Sequence, residues 1–124
     1  ESYSDKHRAS WVDRFDTTVD DMFEDYVFPQ ENGSHYNCQY ASVGNLFAKG
    51  KKPFSFQASR YSEKELDEKA HNFELVPSDG IYVALDYKQS GIGSNSCGPR
   101  LAEKYQIREE KIEWEISIRF DNKN

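Results

Sequence analysis

Cysteine, methionine and proline are scarce in this chain of 124 residues, at two, one and four copies. The two cysteines, Cys38 and Cys97, are far apart and neither belongs to a C-x-x-C pair, which removes the spacing signature of a zinc site or a dithiol redox motif. A disulfide between them stays open, because spacing alone does not carry the pairing geometry. His7, His35 and His71 are the only histidines and also lack ligand spacing. No apolar run approaches the ~18 residues needed to cross a bilayer. The start, Glu1-Ser2-Tyr3-Ser4-Asp5, has neither the basic residues nor the apolar stretch of a signal peptide. Positive charge is short as well: 16 Lys and Arg against 22 Asp and Glu leave a net charge of -6. A nucleic-acid backbone and an anionic membrane both select clustered Lys and Arg, so neither is expected as a partner.

What is present is enough apolar material for one core, with 36% hydrophobic and 15% aromatic residues. A single domain over residues 1–124 follows from that length. At its far end Ile112, Trp114, Ile116, Ile118 and Phe120 alternate with Glu113, Glu115, Ser117 and Arg119, the two-residue period of a half-buried strand. Residues 54–58 alternate in the same way after Pro53, and residues 38–43 read as another strand. Residues 73–76 and 81–87 flank Pro77-Ser78-Asp79-Gly80, whose composition predicts a hairpin. Weaker strand signals cover residues 13–19 and 26–28. Ser62 followed by Glu65 is a capping box, predicting one helix over residues 63–70 that closes on the core through Leu66 and Ala70. Short strands punctuated by turns, with one brief helix, predict an all-β antiparallel sandwich.

Chemistry is harder to find. Glycosidic or ester hydrolysis needs carboxylates or a nucleophile and base in mutual geometry, and no motif nominates such a set. No G-x-S-x-G, H-E-x-x-H or Walker pattern occurs, and acidic pairs such as Asp20-Asp21 and Glu109-Glu110 read as solvated turns or faces. Asn32-Gly33-Ser34 fits the glycosylation pattern, but so short a match is frequent by chance. One glycine-rich loop, residues 90–99, follows the strand at 81–87; its three glycines permit close approach of a backbone or ligand. Without a Walker lysine it is not a phosphate cradle, and a purely structural loop is its plain reading. Residues 26–33, Tyr-Val-Phe-Pro-Gln-Glu-Asn-Gly, place an apolar strand against proline and three hydrogen-bonding side chains, which reads as a polar strand end.

These two stretches, together with Glu1-Ser2-Tyr3-Ser4-Asp5, Ser59-Arg60-Tyr61-Ser62, His71 and Leu85-Asp86 in this order, resemble the C-terminal domain of the β-galactosidases of glycoside hydrolase family two, of the small-chain type. The resemblance spans most of the chain. It implies a partial, galactose-mutarotase-like supersandwich, the C-terminal part of a parent that hydrolyses terminal β-D-galactosides such as lactose with retention. The parent's two catalytic glutamates belong to a central barrel and lie outside these residues, so no catalytic residue is expected here. Glu1 falls inside a family motif, so an upstream part of the same sandwich is expected.

The resemblance further implies that the loop reaches the active-site mouth, with Asn95, Ser96 and Cys97 as its substrate-binding residues. Where Cys97 stands, other members carry a tryptophan that packs on the sugar; a thiol offers a smaller, weakly polar face. Cys97 as a buried structural thiol stays open. No cofactor is expected within this segment, whereas the parent family often uses Mg and Na ions. The expected partners are the remaining domains of the parent, a galactoside, and a second copy through exposed strand edges. A cytoplasmic location follows from the family. Two alternatives stand beside this reading: an autonomous carbohydrate-binding module, with Trp11, Tyr36, Tyr40 and Tyr105 as candidate platforms, and a purely structural or assembly domain.

Overall fold

The computed structural model describes residues 12–23, 33–89 and 100–122. Its elements are β1 (His35–Val43), β2 (Leu46–Ser59), α1 (Glu63–Glu68), a 3-10 turn at Asn72–Glu74, β3 (Tyr82–Asp86), a second 3-10 turn at Glu103–Tyr105 and β4 (Ile116–Phe120). Strands β1, β3 and β4 each pair antiparallel with β2 in one sheet of four strands. Among the described residues the chain is all-β with one short helix, built on this one antiparallel sheet.

The hairpin of the sheet is β1 to β2, where Val43 pairs with Leu46 across Gly44-Asn45. Gly44 carries φ 59°, which a two-residue connection needs at its first position and glycine reaches without a Cβ clash. Further along, Tyr40 pairs with Lys49 but Cys38 pairs with Phe54, so β2 holds a wide bulge over residues 50–53. Gly50 makes that bulge possible: a Cβ there would collide with the Lys52 carbonyl oxygen and stand 2.8 Å from the Phe54 ring.

The opposite edge of β2 is shared. Phe56 pairs with His35 of β1 and Leu85 of β3, while Ala48 pairs with Ala41 of β1 and Ile118 of β4. A strand has two edges, so β3 and β4 lie end to end on the one away from β1, with Asp86 beside Ser55 and Ile116 beside Gly50. The described residues between them, 87–89 and 100–115, form an excursion off that edge.

One face of β2 supplies the core: Ala48, Phe54, Phe56 and Ala58 are buried, Phe54 to 1% exposure. Ala41, Val43, Val83, Leu85 and Ile116 extend that face across the sheet, and Val19, Met22 and Trp114 pack against it. Burying a phenylalanine of this kind contributes about 1.5–3 kcal/mol. Arg60 fastens the early segment to the sheet: its Nε donates to Asp20 at 2.6 Å, and its carbonyl oxygen accepts from the amide and hydroxyl of Ser78, each at 2.9 Å.

Several local expectations need correction. The strand expected over residues 112–120 begins only at Ile116, and its apolar face is half covered, with Ile118 and Phe120 52% and 67% exposed. β4 pairs with β2 along its whole length, but only Ile116 at its start, with Trp114 just before the strand, packs against the core. The strand at residues 54–58 is the second half of the much longer β2. No hairpin joins residues 73–76 to β3; that segment is a 3-10 turn followed by irregular chain, and Ser78 bonds to Arg60 instead of reversing the chain. Residues 13–19 are not a strand but lead into a turn, with the Thr18 hydroxyl accepting from the Asp21 amide at 3.1 Å. Residues 26–28 lie outside the described part.

The helix is half as expected. Ser62 accepts from the Glu65 amide at 3.0 Å, but the Glu65 carboxylate accepts from the Val76 amide at 2.9 Å. The helix ends at Glu68 and buries no residue, so Leu66 is only half-buried and Ala70 is exposed. A reach-back of the capping-box kind occurs later, where Glu74 accepts from the amides of His71 and Ala70 at 3.0 and 3.2 Å.

Candidate functional site

The two described sides of the excursion, residues 87–89 and 100–115, flank the glycine-rich loop in sequence and are held together by side chains. Immediately after β3, the Tyr87 hydroxyl donates to Glu109 Oε1 at 3.1 Å, and the Lys88 ammonium donates to the same oxygen. Lys88 Nζ also stands 5.0 Å from the Tyr87 ring centroid, a cation–π arrangement. The bond from Lys88, reinforced by the amides of Glu109 and Arg108 and by Tyr87, holds the Glu109 carboxyl at about 2. Reciprocally, Glu109 and then Tyr87 push the Lys88 ammonium up. Asp86, the last residue of β3, accepts from Gln89 at 3.4 Å.

On the returning side Gln106 is the hub. Its Oε1 accepts from Arg100 at 3.4 Å and from Arg108 at 3.2 and 3.3 Å, and its Nε2 donates to the Leu101 carbonyl at 2.6 Å. Arg108 also pairs with Glu103 at 3.1 Å. These bonds fold residues 100–108 into a compact strut around the second 3-10 turn. Closer to the sheet, the Lys51 amide donates to the Glu115 carbonyl at 3.2 Å, with an ion pair of 3.5 Å between the two side chains.

Asn95, Ser96 and Cys97 lie outside the described residues; Cys38 is a free thiol donating to the His35 carbonyl at 3.5 Å. Of the aromatic candidates, Trp11 and the Tyr105 side chain are likewise outside, Tyr36 is half-buried, and Tyr40 is exposed. Tyr40 stacks on Phe47 with centroids 6.1 Å apart, and the Arg119 guanidinium covers the same Phe47 ring at 5.0 Å. His71 faces Glu74 at 3.3 Å. Among the described residues no group of three or more His, Cys, Asp or Glu could hold a metal ion.

A family model described as "Beta galactosidase small chain" matches residues 1–120. The chain belongs to this family. The beta-galactosidase small-chain match takes in every described strand and both sides of the excursion. Among its relatives, a beta-galactosidase of Actinobacillus pleuropneumoniae is 50% identical over 121 residues, covering 98% of this chain and 12% of that protein. One from Staphylococcus xylosus is 41% identical over 123 residues, covering 96% and 12%, and one from Kluyveromyces lactis is 33% identical over 128 residues, covering 98% and 12%. This small-chain segment therefore spans about an eighth of the length of the curated relatives it matches.

Glu109 is the functional candidate that sequence reasoning passed over, since Glu109-Glu110 reads as a solvated acidic pair. Its partners lie 21 and 22 residues earlier, and no local pattern announces a bond of that range.

Proposed function

We propose that this small-chain segment is an accessory part of a β-galactosidase that hydrolyses terminal β-D-galactosides such as lactose, and that it is inactive alone. The paired carboxylates such a reaction requires belong to other domains of the parent. Residues 1–124 act as one domain, the C-terminal part of the sandwich, and lend residues 90–99 to the active-site mouth, where Asn95, Ser96 and Cys97 meet the galactoside. The observation that carries this reading is the excursion itself: an otherwise continuous sheet edge is interrupted once, and both sides of the interruption are bonded into struts. Structure of that kind is spent on a loop with a task, because backbone taken off a sheet edge gives up ladder hydrogen bonds.

The partners are the remaining domains of the parent and the galactoside, with a second copy pairing along the outer edges of β1, β3 or β4 as a further contact. Mg and Na ions, where the parent uses them, are held elsewhere. A cytoplasmic location accompanies this reading, and among the described residues no helix is long and apolar enough to cross a membrane.

The test is turnover of a chromogenic β-galactoside by the full-length parent carrying Cys97→Trp or Cys97→Ala, with and without glucose as acceptor. An indole in place of the thiol adds a flat apolar face for a sugar, so altered partitioning between water and glucose is expected. Unchanged kinetics in both variants would make Cys97 structural. The alternative of a separate carbohydrate-binding face draws on the exposed Tyr40 stacked on Phe47. Tyr40→Ala that leaves retention on immobilised galactosides unaltered would remove it.

A further inference from the structure

Residues 62–79 are ordered by many polar bonds and by very little burial. Helix α1 buries no residue, and six residues do not hold a helix in water by themselves. Side chains hold it: Ser62 caps its start, and Glu65 accepts from the Val76 amide, closing the chain after the first 3-10 turn back onto the helix. Inside that closed segment the Glu74 carboxylate accepts from the amides of Ala70 and His71, and the His71 ring stands 3.3 Å from the same oxygen. The His71 ring in turn lies against Phe73, with centroids 5.1 Å and planes 19° apart. Phe73 is thus fixed from one side and still 85% exposed, and Val76, three residues on, is 66% exposed. Ordering a segment costs entropy that apolar burial ordinarily offsets, and here that burial is missing.

The charge around these two side chains is one-sided. Residues 62–79 hold six Asp and Glu against two Lys, a net charge of -4 within a chain of -6, and Lys64 is itself paired with Glu68. A second copy of the chain would bring the same excess of acid to this place, where like charges repel; the complementary surface carries Lys and Arg. The chain spans 12% of the length of its Actinobacillus and Staphylococcus relatives, so most of a parent of that size lies outside it while staying joined to it.

We propose that Phe73 and Val76 form a preorganised anchor that docks into an apolar pocket rimmed by Lys and Arg on another domain of the parent β-galactosidase. This rests on the reading of the chain as an accessory part of that enzyme and does not involve residues 90–99. An aromatic anchor held in place before docking loses little freedom on docking, which is what the His71 stack and the Glu74 bonds provide. Phe73 supplies the apolar area at the centre of the contact, and the exposed carboxylates of Glu63, Asp67 and Asp79 supply its polar rim.

The experiment is hydroxyl-radical footprinting of the full-length parent, native and in denaturant, read by mass spectrometry at Phe73 and Val76. A ring that stays 85% exposed oxidises at nearly the denatured rate, whereas a docked one is expected to oxidise about fivefold or more slowly, because an interface anchor is desolvated. Carbodiimide coupling of the same preparation is expected to join Glu63, Asp67 or Asp79 to lysines outside residues 1–124. Phe73→Asp is expected to raise oxidation of Val76 and to reduce those cross-links; should that variant fold poorly, the footprint and cross-links of the unmodified parent decide by themselves. Oxidation of Phe73 at the denatured rate in the native parent overturns the inference. Protection with cross-links confined to residues 1–124 also overturns it, since the cover then belongs to this chain or to a second copy. Turnover of a chromogenic β-galactoside by the unmodified parent is recorded on the same sample: its absence sinks the accessory reading, and turnover with an unprotected Phe73 sinks the docking inference alone.

Discussion

The amide of Lys51 donates to the carbonyl oxygen of Glu115 at 3.2 Å, and this bond sits where the outer edge of β2 passes from β3 to β4. Lys51 belongs to the bulge of β2 and Glu115 is the last residue before β4, so the bulge on one edge faces the interruption on the other. A bulge bends and twists its strand locally. Here the twist falls where the sheet exchanges one short partner for the next.

Gly50 should tolerate no side chain. Alanine at this position would press its Cβ into the Lys52 carbonyl and the Phe54 ring, both part of the bulge or the core. Because one obstacle is backbone, relief requires the bulge to move, and Gly50→Ala is expected to cost about 1–3 kcal/mol. A lowered urea midpoint with an unchanged slope would agree; an unaltered midpoint would mean that the bulge is free to widen.

Phe54 is the most deeply buried large side chain among the described residues. Phe54→Ala is expected to destabilise by about 3–5 kcal/mol, and Phe54→Leu by clearly less. Chemical denaturation monitored by tryptophan fluorescence reports both, and equal losses would argue that ring shape matters more than volume.

Ser62→Ala removes the acceptor for the Glu65 amide at the start of α1. The expected loss is about 1 kcal/mol. Glu65→Gln should have a smaller effect, because an amide oxygen still accepts from Val76. Thermal unfolding of the two variants side by side tests this order.

The Glu109 carboxyl is held at about 2 against its ordinary 4.5. A depressed pKa in the folded state means that its contribution is fully present above about 4.5 and is lost as pH falls through about 2. Glu74, lowered chiefly by the His71 amide, acts in the same direction. Acid unfolding curves of wild type and Glu109→Gln should therefore differ at pH 5 and converge towards pH 2. A constant gap across that window would place the origin of the difference outside the carboxylate.

Burial pushes the Cys38 thiol up from its ordinary value. Since the thiolate is the nucleophile, labelling of Cys38 by a thiol reagent near pH 8 should be slower than that of an exposed cysteine, and faster in denaturant. Mass spectrometry of the labelled peptide checks it, and native labelling at the denatured rate would contradict the half-buried position.

Wherever a feature depends on neighbours in sequence, the chain carries it openly. Alternation places Phe54, Phe56 and Ala58 on one face because side chains alternate by bond geometry alone. Ser62 caps a helix because its oxygen reaches an amide three residues on. Family membership is legible for the same reason, as ordered local motifs survive being read one after another. Much of the proposed site is a different matter. The pairing of one strand with both β3 and β4, the bulge opposite their junction and the tie from Glu109 to Tyr87 and Lys88 all join residues distant in sequence. Ile118 and Phe120 show the limit most clearly: their alternation is that of a buried face, yet both are exposed, because burial depends on what is laid over the strand. Composition and periodicity determined the class and the inward face; only the folded chain decided which edges meet and how much of that face is covered, since those contacts exist only after loop closure brings the partners together.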